Sequence, residues 1–324
     1  MSVPTGTPKA RALYRDATRA ILLGLFVNLA LGMAKLAGGL IAGSFALLSD
    51  AVNSLGDTLT SIVVWFALWF AQRPPDSEHP YGHTRAEAIA ASNVALVIIL
   101  SALGVGWKTL THITTPVHLI PPDWTLWLAG SNVLIKESLY QYKLRVGRRT
   151  GSMAVIANAW DHRSDALCAL AVLIGLAVAR WGGPGLAWAG KAAALVVVSA
   201  IVWSGTALFR SSTSELMDLQ AERPILDQIR AVAASIPEIE HVETLWVRKS
   251  GLEYFVDIHI EVDADMTVAE GHRIGHLLKD RLLKQIPILR DVLVHLEPHP
   301  ADDGHDKRDR RADGPRTTQG PSKD

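Results

Sequence analysis

The chain carries two acidic stripes of one design. Asp50, Asn53 and Asp57 fall at i, i+3 and i+7, and Asn158, Asp161 and Asp165 repeat that spacing. On an α-helix such positions share a face. Both stripes sit inside otherwise apolar runs, where an unpaired carboxylate at bilayer depth is unfavourable by about 3 kcal/mol or more. Two such faces turned toward each other would gather several oxygens, and a divalent cation is the simplest partner that makes the cluster tolerable. The competing reading is acids merely solvated at a membrane interface. The place of Asp57 near the middle of its run and the matched spacing argue against it.

The elements that must hold these stripes follow from hydropathy. A bilayer span needs about 20 mostly apolar residues. Six runs qualify: roughly Ala20–Ile41, Phe45–Ala71, Ala86–Trp107, Trp124–Tyr142, Met153–Trp181 and Leu186–Leu208. The first follows a basic stretch as a cleaved leader would, but a long second run follows at once. Lys9, Arg11, Arg15 and Arg19 precede the first run, Arg73 and Arg85 flank the loop after the second, and Lys143, Arg145, Arg148 and Arg149 lie between the fourth and fifth. The opposite loops are poorer, with Arg180 and Lys191 as exceptions. This bias places both termini in the cytoplasm.

After the sixth run the pattern turns soluble. Ile225, Ile229, Val232 and Ile236 have helical spacing within 224–236. Residues 242–249 read as a strand. Residues 253–262 read as a clearer one, with Tyr254, Val256, Ile258, Ile260 and Val262 alternating against Phe255, Asp257, His259 and Glu261. A helix over 267–284 and a strand over 291–297 complete a small α+β unit.

Composition excludes several classes. Lys+Arg and Asp+Glu are both 32, so a nucleic-acid binder driven by bulk positive charge is not expected. The single cysteine, Cys168, can form neither an internal disulfide nor a thiolate cluster. There is no HExxH, nucleophile elbow or phosphate loop, so a metalloenzyme is not expected and neither is a prosthetic group.

With the stripes and the loop Asp76-Ser77-Glu78-His79-Pro80-Tyr81-Gly82-His83 in view, the chain resembles the cation diffusion facilitators, proton-coupled exporters of divalent metals. The resemblance runs from about Arg15 to His299. It implies a transport site of Asn53, Asp57, Asp161 and Asp165, with Asp50 and Asn158 beside it. It implies a second metal site in the loop after the second span, at Asp76, His79 and His83, which otherwise read as a polar loop after Pro74-Pro75. It implies a contact between Arg85 and Asp218 where the two units join. In the soluble unit, it implies a metallochaperone-like dimerisation domain with ligands at Glu243, His259, His272, His295 and Glu297. Glu243 stands there for a family His and Glu297 for an Asp. Without the family, these are solvated strand residues.

The quartet is all oxygen if Asn53 binds through its carbonyl. Oxygen donors suit Mn2+, Mg2+ and Ca2+, whereas imidazole suits Zn2+, Cu2+ and Ni2+. The chemistry therefore favours Mn2+ over Fe2+, and either over Zn2+ or Co2+; the Asn/Asp with Asp/Asp pattern also resembles the manganese-exporting branch. His162 adjoins Asp161 but lies about 100° around the helix, a neighbour and not a ligand. Lys136 reads as a structural pair with other helices, Glu137 as a candidate on the passage, and Lys35 as a side chain whose stem snorkels to the interface.

The expected whole is a six-helix membrane protein in a bacterial plasma membrane, in contact with lipid and dimeric. It divides into a cytoplasmic segment 1–18, a transmembrane domain 19–211, a cytoplasmic α+β domain 212–299 and a disordered tail 300–324. The expected activity is export of Mn2+ by alternating access with protons as counter-ion. An Fe2+ (or Zn2+ or Co2+) exporter, and a membrane-anchored metal sensor or scaffold without flux, are the alternatives.

Overall fold

The computed structural model describes residues 7–42, 45–111, 123–181 and 187–299. The expected disordered tail lies outside them. Six long helices come first: α1 (Pro8–Ala42), α2 (Phe45–Ala71), α3 (Ala86–Thr111), α4 (Asp123–Thr150), α5 (Met153–Trp181) and α6 (Ala187–Leu216). Among the described residues, α1, α2, α3 and α6 contain stretches long and apolar enough to cross a membrane. Helices α4 and α5 are richer in ionisable residues, and they pack against each other. Helix α1 packs on α2, and α3 on α6. Ile21, Leu68, Val94, Ala95, Ile98, Val155 and Ile201 form the shared core.

Helix α1 starts well before the apolar run that announces it. Ala10, Tyr14 and Ala17 are buried, so much of the expected N-terminal segment is a helical extension that packs. Helix α4 likewise runs to Thr150, which puts Lys143 inside a helix and not in a loop.

The second unit follows α6 as α7 (Arg223–Ala234), β1 (His241–Ser250), β2 (Glu253–Val262), α8 (Val268–Gln285) and β3 (Leu289–Pro298). Strand β2 is central, antiparallel to β1 and parallel to β3, with α8 as the crossover. Pro224 opens α7, where a missing N–H costs nothing. Thr267 and Glu270 form a reciprocal capping box on α8. One face of β2 (Val256, Ile258, Ile260) joins Ile229 and Val232 of α7 and Ile274, Leu278 and Leu282 of α8 in a second core. The other face, with Asp257 and His259, is left to chemistry.

The β1–β2 hairpin tip wedges among the ends of the long helices. Gly251 has φ +62°, and a Cβ there would lie 2.6 Å from the Tyr14 hydroxyl and 2.9 Å from the Thr84 carbonyl, so glycine is required twice over. Thr84 and Ser250 share a hydroxyl hydrogen bond of 2.7 Å. Glu253, only 1% exposed, accepts from the Thr7 amide at 2.9 Å and Arg290 Nη1 at 2.6 Å.

Candidate metal centre

Helices α2, α4 and α5 bring ionisable groups to one buried place. Asp57 of α2 and Asp161 of α5 are both 8% exposed, and Asp165 lies one turn beyond Asp161. Lys136 of α4 donates to Asp57 Oδ2 and, at 2.9 Å, to Asp165 Oδ2. The two acidic stripes therefore meet on one ammonium. Asp161 Oδ2 is buried with no hydrogen-bond partner among the described residues. A buried carboxylate oxygen without a donor is a ready ligand position for a cation. The side chains of Asp50 and Asn53 lie outside the described residues, although both positions are on α2.

Asn158 faces a different partner. Its Oδ1 accepts from Lys143 Nζ at 2.5 Å, and its Nδ2 donates to Ser61 Oγ at 3.3 Å. His162 Nε2 is 2.7 Å from the same Lys143 nitrogen. Asn158, His162 and Lys143 are all wholly buried. Gly24 of α1 makes the room: a Cβ there would lie 2.1 Å from Lys143 Nζ. Lys143 thus belongs to a buried polar cluster beside the acidic one. Lys35 does not snorkel. It is 5% exposed and donates to Ser54 Oγ at 3.1 Å and Asn132 Oδ1 at 3.4 Å, because α2 and α4 offer oxygens closer than the interface does. Glu137 turns away from the acids and accepts from Gln141 at 2.8 Å and Arg163 at 3.3 Å, while Arg163 lies over the Tyr140 ring.

The loop between α2 and α3 gathers Asp76, His79 and His83, whose ligand atoms lie within 4.8 Å of one another. His79 Nδ1 and His83 Nε2 are each 3.3 Å from an Asp76 oxygen. Asp76 also accepts from the His79 amide at 2.7 Å and the Glu78 amide at 3.0 Å. The His79 amide bond is the main reason its carboxyl is held below the usual carboxylate range. Arg85, just beyond, pairs with Asp218, a residue at φ 58° two positions after the end of α6.

In the soluble unit, parallel register sets His259 beside His295 and Glu261 beside Glu297. Glu297 Oε1 lies 2.8 Å from His259 Nδ1 and 3.5 Å from His295 Nε2. A bulge in β1 between Val242 and Thr244 leaves Glu243 opposite this group. A hydrogen bond between the Glu243 and Glu297 carboxyls raises the first and lowers the second. His259, His295 and Glu297 have ligand atoms within 4.8 Å of one another, a donor set for a transition metal, and Glu243 lies beside it. His272 is not part of it. Helix α8 packs on the opposite face of the sheet, and His272 sits on its exposed side with its ring 4.5 Å from His276.

At the junction, Lys249 donates to the Gly151 carbonyl at 2.8 Å and to Glu215 Oε2 at 2.9 Å. Burial lowers the Lys249 ammonium, but Glu215 and Glu87 outweigh it and hold it above its ordinary value. Sequence reasoning missed Lys249, Glu215 and Lys143. A signal existed for Lys143, since it continues the helical spacing from Lys136 at i+7.

Residues 21–217 match the family described as cation efflux transmembrane domain, and residues 221–299 match the cation efflux protein cytoplasmic domain. The chain is 27% identical over 286 residues to the manganese efflux system protein MneP of Bacillus subtilis, covering 87% of this chain and 96% of that one. It is 30% identical over 273 residues to the magnetosome protein MamB of Magnetospira sp., covering 84% and 92%. Among solved structures, the metal-bound C-terminal domain of the CzcD transporter from Thermotoga maritima is 30% identical, covering 24% of this chain and 94% of that one at a TM-score of 0.23.

Proposed function

The chain belongs to the cation efflux family, and from that premise we propose that it exports a divalent cation, Mn2+, from the cytoplasm in exchange for protons. The observation that carries the reading is the convergence of Asp57 and Asp165 on Lys136, with the buried, unpartnered oxygen of Asp161 one turn from Asp165. With Asn53 as fourth ligand the donors are all oxygen, which favours Mn2+ over Zn2+. The relative named for manganese efflux supports the same cargo. Clustered carboxylates repel, so a site opening outward can exchange its cation for protons. Lipid surrounds the long apolar helices, and a bacterial plasma membrane with both termini cytoplasmic fits the charge bias of the loops.

The soluble unit would join two copies. Trp246, Asp257 and Leu293 form a row across the sheet beside His259 and His295, and Trp246 and Leu293 are 59% and 65% exposed. A metal held by His259, His295 and Glu297, with Glu243 beside them, would stiffen this face, and one held by Asp76, His79 and His83 would pin the loop after α2.

The test is competitive uptake of Mn2+, Fe2+ and Zn2+ into proteoliposomes carrying an internal pH dye, comparing the wild type with Asp57→Ala. Preferred Mn2+ uptake with opposite proton movement, both lost in Asp57→Ala, is the expected result. Preferred zinc uptake would overturn the cargo. Metal binding without flux would leave a sensor or scaffold.

A further inference from the structure

We propose that Lys136 is the built-in counter-cation of the transport site, a tethered ammonium that the cargo must displace to bind. The proposal rests on the transport-site reading above. Lys136 reaches from α4 between the two stripes and touches one oxygen of each, Asp57 Oδ2 on α2 and Asp165 Oδ2 at 2.9 Å on α5. Its side chain is 2% exposed, so the ammonium gives its hydrogen bonds to these carboxylates and hardly to solvent. A divalent cation bridging α2 and α5 needs the same two carboxylates. It would also bring its charge within roughly 4 Å of the ammonium, where unscreened like charges repel strongly. Cargo and ammonium therefore compete for these two carboxylates.

The neighbouring buried Lys143 shows that this placement is particular. Lys143 is bound by Asn158 and His162, both neutral partners in the bonds described. Lys136 instead sends its hydrogen bonds to an acid of each stripe. Asp161 Oδ2 has no hydrogen-bond donor among the described residues, which leaves a first foothold for an arriving cation. The ammonium would then yield Asp57 and Asp165 in a second step. On release the order reverses, and the returning ammonium pushes the cargo off.

A structural prop and a competitor make opposite predictions. Removing a prop loosens the site and weakens cargo binding. Removing a competitor tightens it, because apparent affinity falls by the fraction of time the oxygens are free. The experiment uses the full chain and Mn2+ alone, reading the part of Mn2+ binding that Asp57→Asn abolishes, and the KM and maximal rate of Mn2+ uptake. Lys136→Met should bind Mn2+ roughly tenfold more tightly and turn over more slowly, since nothing drives release. Lys136→Arg keeps the charge and can span both carboxylates, so it should bind Mn2+ more weakly. Weaker or unchanged binding in Lys136→Met, with a monodisperse protein, overturns the proposal. If Lys136→Met does not fold, Lys136→Arg decides: a raised dissociation constant supports the counter-cation and an unchanged one refutes it. Should Asp57→Asn bind and transport like the wild type, the transport-site reading itself fails, a result separable from the others.

Discussion

Lys249, at the tip end of β1, donates to Glu215 near the end of α6 at 2.9 Å, and this pair ties the soluble unit to the membrane helices. Glu215 is 8% exposed and also accepts from the Gly251 amide at 3.2 Å. Residues proposed as metal ligands stand on both sides of the tie. The β1–β2 hairpin that carries it ends in the bulge at Glu243, while α6 packs on α5, which carries Asp161 and Asp165.

Lys249→Met should undock the hairpin without unfolding the soluble unit. Removing one partner leaves a buried carboxylate unpaired, and with the Lys249 side chain 21% exposed the loss should be about 2 kcal/mol. Amide exchange at Gly251 and Leu252 should accelerate by roughly 30-fold, while amides of the β2 core stay protected. Adding Glu215→Gln should restore part of the protection, because the residual charge is then gone. Unaltered exchange at the hairpin would mean that the pair does not hold the junction.

Gly24→Ala tests the buried cluster around Lys143. A methyl group would lie 2.1 Å from Nζ and 2.3 Å from Cε, so the ammonium must leave Asn158 and His162. Lysine is flexible enough to move, but the move strips a buried ammonium of its partners, at a cost of about 2 kcal/mol. Lower thermal stability in detergent is expected. Gly24→Ala combined with Lys143→Met should regain most of it. Additive losses in the double variant would show that the residues are not coupled.

Much of this arrangement was legible because it is local. The stripes at i, i+3 and i+7 need nothing beyond helix geometry, and the alternation of β2 needs only strand geometry. Lys136 was legible as a pair with other helices, but which acids it pairs with, and the burial of Lys35 and Lys143, were not, because those roles depend on distant partners. Lys136 and Asp57 are 79 positions apart, and Lys35 and Asn132 are 97 apart. A buried lysine is tolerable only when such partners exist, and spacing within one helix does not reveal them. Lys143 followed a dense basic stretch and so resembled a loop residue, while burial against Gly24 makes it part of the core. His272 failed for the converse reason. Its helix was legible, but which face of the sheet that helix covers is a tertiary fact.

The loop after α2 should respond to acid with a defined sign. The Asp76 carboxyl is lowered below its unfolded value near 3.8, mainly by the His79 amide. A lowered carboxyl stabilises the loop fully above the unfolded value, and that contribution is lost as pH falls through the lower folded value. Without added metal, the His79 and Glu78 amide resonances should titrate together with a midpoint below 3.8. Asp76→Asn keeps an acceptor oxygen and should abolish this titration. A midpoint above the unfolded value would show that the amide bonds do not govern the loop.

Asn53→His tests whether the cargo is chosen by donor chemistry. The transport reading gives Asn53 the fourth ligand position beside Asp57, Asp161 and Asp165, and an imidazole there replaces a hard oxygen with a softer nitrogen. Zinc should gain and manganese should lose, shifting the uptake ratio by about tenfold toward zinc, equivalent to about 1.4 kcal/mol of relative binding. The shift should appear in KM for each metal while the protein elutes and melts as the wild type does. Total loss of both activities would point to a packing defect and would be checked with Asn53→Asp, which keeps oxygen and adds charge. Asn53→Asp should retain manganese uptake. If Asn53→His transports manganese as before and gains no zinc, selectivity lies elsewhere, and the remaining acids with their Lys136 partner become the place to look.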